Sequence, residues 1–218
     1  MNIYHSKADE FYRQYESVKA EEVHQNWIRL LDNVAPGKAL DVGAGSGRDA
    51  RFLAGRGFAV TAVEPADALR EQAKKLSQQL PIQWLSDLLP GLPKVQALQQ
   101  QFDLILLSAV WMHLSPDQRH QALPVLCNLL AHDGLLVVTL RHGSFNDGRQ
   151  SYPVSSAELL QLNMQQQLTF DPLLITELSI DSLGRSDVLW QSVILKKTLN
   201  QNISGPLNCG SQVCKSTF

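Results

Sequence analysis

Apolar residues recur along this chain with two different periods. Between residues 8 and 34 the spacing is helical. Phe11, Tyr12 and Tyr15 share one face of a first stretch, and Val23, Trp27, Leu30, Leu31 and Val34 form an i, i+4, i+7, i+8, i+11 stripe on a second. The second stretch predicts a helix packed on a sheet. From residue 39 the pattern changes to short apolar runs separated by helical segments. Runs at 39–42, 60–64, 81–87, 102–108 and 135–140 predict five strands, and the nearly continuous apolar character of 102–108 is that of a strand buried on both faces of a parallel sheet. Helices are predicted at 48–57, stopped by Gly55 and Gly57, and at about 66–79. Residues 88–101 read as loop and a polar, glutamine-rich, exposed helix.

Further along, Ser115-Pro116-Asp117-Gln118 starts a helix with an N-cap hydroxyl, a proline at the first position and a glutamine at the third. Pro124 is expected to kink or split that helix, and Asp133-Gly134 to end it. Ser155-Ser156-Ala157-Glu158 resembles a capping box before a helix through Leu159, Leu160 and Leu162. Runs at 173–180 and 188–197, joined by a short loop with Gly184, predict an antiparallel hairpin, because a parallel pair needs a long crossover. Together these elements predict an α/β, doubly wound, Rossmann-like sheet formed by one domain over residues 1–197. Residues 198–218 lose the apolar period and are expected to form a flexible tail.

Composition narrows the partners. The formal net charge of the 218 residues is -2, with acids and bases interspersed. That balance gives no electrostatic footprint of a nucleic-acid binder or of an anionic-membrane binder. No apolar run approaches a membrane span, and the polar start Met1-Asn2-Ile3-Tyr4-His5-Ser6-Lys7 is no signal peptide, so a cytoplasmic protein is expected. The 3 cysteines lack paired C-x-x-C spacing, so reduced thiols and no metal centre are expected.

The chemistry gathers at Asp41-Val42-Gly43-Ala44-Gly45-Ser46-Gly47-Arg48, a strand that turns through glycines into a helix. A dinucleotide fingerprint requires G-x-G-x-x-G, and its third glycine position here holds Arg48. Asp41 is a carboxylate placed where a pyrophosphate otherwise lies, which repels a dianion and suits a ligand with a cationic end. Gly43 and Gly45 let backbone approach that ligand closely. The second strand ends in another acid, Glu64, which can accept both hydroxyls of a ribose.

This order of motifs resembles the class I S-adenosylmethionine-dependent methyltransferases: the acid-x-Gly-x-Gly-x-Gly turn, Glu64, Ser86-Asp87 after the third strand and Phe102-Asp103 opening the fourth. The resemblance covers roughly residues 8–197. It implies a seven-stranded sheet of order 3-2-1-4-5-7-6 with strand 7 antiparallel. It implies S-adenosylmethionine as cofactor, with the methionine end near Asp41, Gly43, Ala44 and Gly45. The ribose would fall on Glu64 and Pro65, the adenine edge on Asp87 and Leu88, with Ser108 and Val110 also in contact. The N-terminal segment 8–34 would act as a helical lid, with Tyr12 and Tyr15 closing over the cofactor.

Candidates for the acceptor side leave the fourth and fifth strands at the ligand edge of the sheet. His113 can serve as general base. Trp111 and His142 are candidate substrate contacts, and Arg141 and Arg149 can grip a carboxylate or phosphate. The segment Ser108-Ala109-Val110-Trp111 lacks the Asn/Asp-Pro-Pro-aromatic motif of amide and exocyclic-nitrogen methyltransferases, no cysteine follows a proline, and Ser108 offers no metal-binding acid. Transfer to an O, N or S of a small molecule is the preferred reading. An RNA or protein methyltransferase, a non-catalytic cofactor-binding module and a nucleotide-dependent oxidoreductase remain as alternatives.

Overall fold

The computed structural model describes residues 7–145 and 147–199. Strands β1 (Lys38–Val42), β2 (Ala59–Val63), β3 (Ile82–Leu85), β4 (Phe102–Leu107) and β5 (Leu130–His142) run parallel, and β8 (Leu189–Lys197) pairs antiparallel with β5. Both β6 (Phe170–Ile175) and β7 (Ser179–Ile180) pair antiparallel with β8. The spatial order is β3-β2-β1-β4-β5-β8-β6, with β7 off that path on β8. The implied order therefore holds, with its sixth strand divided in two.

Side-chain interference explains the division. Where β6 and β7 meet, the Thr176 hydroxyl accepts the Ser192 N–H, and the Gln191 side-chain amide donates to the Thr176 carbonyl. Earlier in the same strand the register slips between Pro172 and Leu174, where proline has no N–H to give.

The apolar runs bury both faces of the sheet. Leu40, Ile105, Leu107, Leu136 and Val138 face one core, and Ala39, Leu104, Leu106, Leu135 and Val137 face the other. Helix α1 is Ala8–Glu16, α2 Ala20–Val23, α3 Arg48–Gly55, α4 Asp67–Leu76, α5 Pro93–Gln96, α6 Pro116–Leu129 and α7 Ser156–Gln165. The stripe from Val23 to Val34 is not one helix. It is α2, a turn and a 3-10 segment Ile28–Asn33, which still buries Trp27 and Leu31. In the polar stretch 88–101, α5 is only one turn, and Leu89, Leu92 and Val95 are buried in the core.

Pro124 does not split its helix into two elements: α6 runs through it. The His120 carbonyl, which a residue with an N–H at 124 would bond, instead accepts from Gln166 Nε2 at 2.7 Å. The capping box at Ser115 forms in both directions. At Ser155 only half of it forms, because Glu158 is drawn to Arg119. The helix α6 ends at Leu129 rather than at Asp133-Gly134, and β5 begins directly after it. Of the expected tail 198–218, all but Thr198 and Leu199 lies outside the described residues, as do Cys209 and Cys214. No helix among the described residues is long and apolar enough to cross a membrane.

Candidate functional site

A cavity of about 310 Å³ opens at the carboxyl edge of the sheet, where open α/β folds take their ligands. One end is walled by the glycine turn. Gly43 and Gly45 have φ of 74° and 55°, and a Cβ on Gly43 would stand 2.6 Å from Val110 Cγ2. A Cβ on Gly45 would stand 3.2 Å from the Tyr15 ring. Main-chain bonds fix this turn: the Gly43 and Ala44 N–H groups donate to the Val63 carbonyl at the tip of β2.

Glu64 follows that tip. Its carboxylate accepts from the Gly45 N–H and the Ala66 N–H, each at 2.8 Å, so the backbone orients it within the cavity wall. A carboxylate has about four acceptor positions, and the geometry is compatible with receiving ligand hydroxyls. Arg70 supports the same corner by donating to the Glu64 carbonyl at 2.7 Å. Pro65, Ala66 and Leu69 continue the wall as an apolar surface.

Beneath the turn lies a buried charge group. Asp49 is 5% exposed, contacts Arg48 at 2.7 Å and lies 3.1 Å from His24 Nε2. Burial alone raises its pKa, but Arg48 and His24 outweigh that and hold it far below the ordinary carboxylate range. At Asp41 the Arg48 charge and the Ala50 backbone offset burial only in part. Burial and the neighbouring Asp49 charge push its pKa well up, and its Oδ2 has no hydrogen-bond partner among the described residues. A cation arriving in the cavity relieves both conditions.

Residues 39–134 match the family model described as "Methyltransferase domain". An uncharacterized methyltransferase of Staphylococcus carnosus (strain TM300) is 27% identical over 128 residues, covering 56% of this chain and 58% of that protein. The match thus spans under two thirds of that relative's length. Among solved structures, the Burkholderia thailandensis 1,6-didemethyltoxoflavin-N1-methyltransferase, bound to 1,6-didemethyltoxoflavin and S-adenosylhomocysteine, superposes with a TM-score of 0.67 at 20% identity, covering 88% of this chain and 84% of that one. The Synechocystis PCC 6803 magnesium protoporphyrin IX methyltransferase with bound S-adenosylmethionine gives 0.65 at 14% identity, covering 90% and 94%.

The chain is thus similar to a methyltransferase domain over residues 39–134 and shares its fold with these two solved methyltransferases.

In this chain, Gly43, Ala44, Gly45, Glu64, Pro65, Ser108 and Val110 all line the cavity. Six residues expected at the site do not reach its wall. Asp87 accepts the N–H groups of Leu88, Lys94 and Val95, which makes it the cap of α5 and spends its carboxylate on backbone. Leu88 points away, half exposed. Trp111 is fully buried in the core, and Tyr12 packs beside Ala8, Phe11, Ala66 and Leu69. His142 also lies off the wall, since successive residues of β5 face opposite sides and Arg141 takes the cavity side. Asp41 is 1% exposed and stands behind the lining, within electrostatic reach of Asp49, Arg48 and Glu64 in it.

The opposite end of the cavity holds His113, Arg141, Phe145 and Arg149. His113 Nδ1 lies 2.7 Å from the Gln150 carbonyl, which can only accept, so Nδ1 carries the proton and Nε2 is the acceptor nitrogen of the neutral ring. Burial, aided by the nearby Arg149 charge, lowers its pKa and keeps it neutral. Arg119, 1% exposed, clamps this region by donating to the Trp111, Tyr152 and Pro153 carbonyls and to both Glu158 oxygens.

Several lining residues were not anticipated. Arg48 and Asp49, which the helix pattern places on an ordinary first turn, are part of the wall. So are Asp181, Arg185 and Trp190 from the closing hairpin. Asp181 accepts from Trp190 Nε1 at 2.8 Å and pairs with Arg185 at 2.7 Å, and these bonds overcome its burial to hold its pKa at about 2.

Proposed function

We propose that this chain transfers the methyl group of S-adenosylmethionine to an O, N or S of a small molecule. The observation that carries the reading is Glu64, a carboxylate held by the Gly45 and Ala66 N–H groups in a cavity wall beside a positive-φ glycine turn. The residues fit this donor. Gly43, Ala44 and Gly45 expose backbone to it, Glu64 accepts its ribose hydroxyls, and Pro65, Ala66 and Leu69 cover an apolar ring. The carboxylates of Asp41 and Asp49 supply a negative field for its cationic methionine end.

When bound, the donor supplies an activated methyl on sulfur, displaced in line by a lone pair of the acceptor as the carbon–sulfur electrons leave on sulfur. The chain's share is to align the two reactants and exclude water. Tyr15, stacked with Phe11 at 6.0 Å and seated over Gly45, covers the turn, and Arg51 pins the end of α1 through Glu16 at 2.6 Å. We assign α1 as a lid on this basis. His113 Nε2 receives the proton released by a hydroxyl, amine or thiol acceptor.

The test is donor turnover by the purified full chain against metabolite, RNA and peptide pools, read as S-adenosylhomocysteine release. Release with the metabolite pool alone is expected. Release confined to RNA or peptide, or none with any pool, refutes the proposal.

A further inference from the structure

The cavity differs in charge along its length, although Arg48 stands with Asp49 at the acidic end and Asp181 with Arg185 at the basic one. Asp49 and Glu64 stand in the wall at the glycine turn with Asp41 behind them, whereas Arg141, Arg149 and Arg185 stand at the other end. Two of these three cations are matched: Arg149 pairs with Asp147 at 2.7 Å and Arg185 with Asp181 at 2.7 Å. Arg141 is different. It is only 6% exposed, yet among the described residues no carboxylate lies within ion-pair distance of it. Its Nη atoms donate to the Gly143 and Ser144 carbonyls at 2.7 and 3.1 Å, its Nε is buried without a partner among the described residues, and its Cζ lies 3.9 Å from the Phe145 ring centre.

A buried guanidinium without a counter-charge is costly, and here two further guanidinium groups add repulsion. Burial, then Arg185 and Arg149, pull its pKa down, and Asp187 and Asp181 offset this by less. The missing counter-charge can reach Arg141 through the cavity it lines. The surfaces around that end, Phe145, Ile180, Leu183 and Trp190, are apolar or aromatic and suit the body of a small organic molecule.

We propose that the methyl acceptor carries an anionic group, a carboxylate or phosphate on an apolar body, and that Arg141 binds that group. This rests on the reading of the cavity as a methyltransferase site, and it assigns each end of the cavity to a reactant of opposite charge: the cationic donor at Asp49 and Glu64, the anionic acceptor at Arg141.

The test uses the full chain saturated with S-adenosylhomocysteine. Benzoate, phenyl phosphate, benzamide and benzyl alcohol are titrated in turn, with binding followed by ligand-observed NMR. Benzoate or phenyl phosphate is expected to bind at least tenfold more tightly than the two neutral probes, and the better of the two anions identifies the group. In Arg141→Gln the anion is expected to bind at least tenfold more weakly, while retained S-adenosylhomocysteine binding reports that the variant is folded. Should that variant not fold, the discrimination between benzoate and benzamide by the unaltered chain decides the matter. Equal binding of charged and neutral probes, or an undiminished anion affinity in Arg141→Gln, overturns the proposal. If S-adenosylhomocysteine does not bind the unaltered chain, the donor reading fails, and titrating benzoate into the ligand-free chain still decides the anion site.

Discussion

Replacing Gly43 by Ala perturbs the proposed donor site with one atom. At φ of 74° an alanine costs about 1–2 kcal/mol in backbone strain. Its Cβ would also stand 2.6 Å from Val110 Cγ2, well inside ordinary carbon–carbon contact, and overpacking of that kind costs about 1–3 kcal/mol. The expected loss of stability is therefore about 2–5 kcal/mol, with Tm falling about 2–4 °C per kcal/mol in a chain of this size. Relieving the clash moves Val110 or the turn into the cavity, so affinity for S-adenosylhomocysteine is expected to drop at least roughly tenfold, about 1.4 kcal/mol. The two costs separate in a double-mutant cycle, read by urea unfolding. In a Val110→Ala background the clashing methyl is gone, and Gly43→Ala is expected to cost only the backbone strain of about 1–2 kcal/mol. A loss below about 0.5 kcal/mol for the single variant, or the same loss in both backgrounds, would refute the reasoning.

Three further outcomes are expected. Because burial holds the His113 pKa below its ordinary value of about 6.5, kcat should rise with pH along a limb centred below that value and stay flat through pH 7–8. His113→Asn should lower kcat roughly 10²–10⁴-fold and abolish the limb, and a limb surviving in the variant would remove His113 as the base. The raised pKa of Asp41 means that the folded chain holds this proton to higher pH than the unfolded chain does. Its favourable contribution is thus present below the unfolded pKa and lost as pH rises through the folded one. Asp41→Asn should then raise the Tm of the ligand-free protein more at pH 8 than at pH 4, while weakening S-adenosylmethionine binding; a lower Tm at pH 8 would contradict this. Arg119→Met strands the Glu158 carboxylate and three carbonyls, and urea unfolding should show a loss of about 3–5 kcal/mol, whereas a loss under about 1 kcal/mol would show the clamp to be idle.

The sheet and the glycine-turn end of the cavity were legible in the sequence because each rests on local signals. Continuous apolar runs marked buried strands, and glycines at 43 and 45 with Glu64 beyond them marked a turn open to a ligand. Residues such as Asp87 were harder, because an acid after a strand has the same local pattern whether it faces a ligand or caps the next helix. Leu92 and Val95 bury their side chains, and the Lys94 and Val95 N–H groups donate to the Asp87 carboxylate. The stripe from Val23 to Val34 had a helical period without the local hydrogen bonding to sustain one helix.

The hairpin residues Asp181, Arg185 and Trp190 follow from topology rather than from any motif. Since β8 runs antiparallel to β5 and pairs Leu189 with His142, the loop before it must return at the ligand edge. Asp49 and His24 meet across twenty-five positions of sequence, a contact that no periodicity announces.

Calorimetric titration of S-adenosylhomocysteine into the unaltered chain and into Glu64→Ala tests the central assignment most directly. The unaltered chain should bind one equivalent, and the variant should bind about 1–3 kcal/mol more weakly, having lost a charged acceptor for ribose hydroxyls. Equal affinity in the two proteins, or heat from NAD but none from the adenosyl compound, would contradict it.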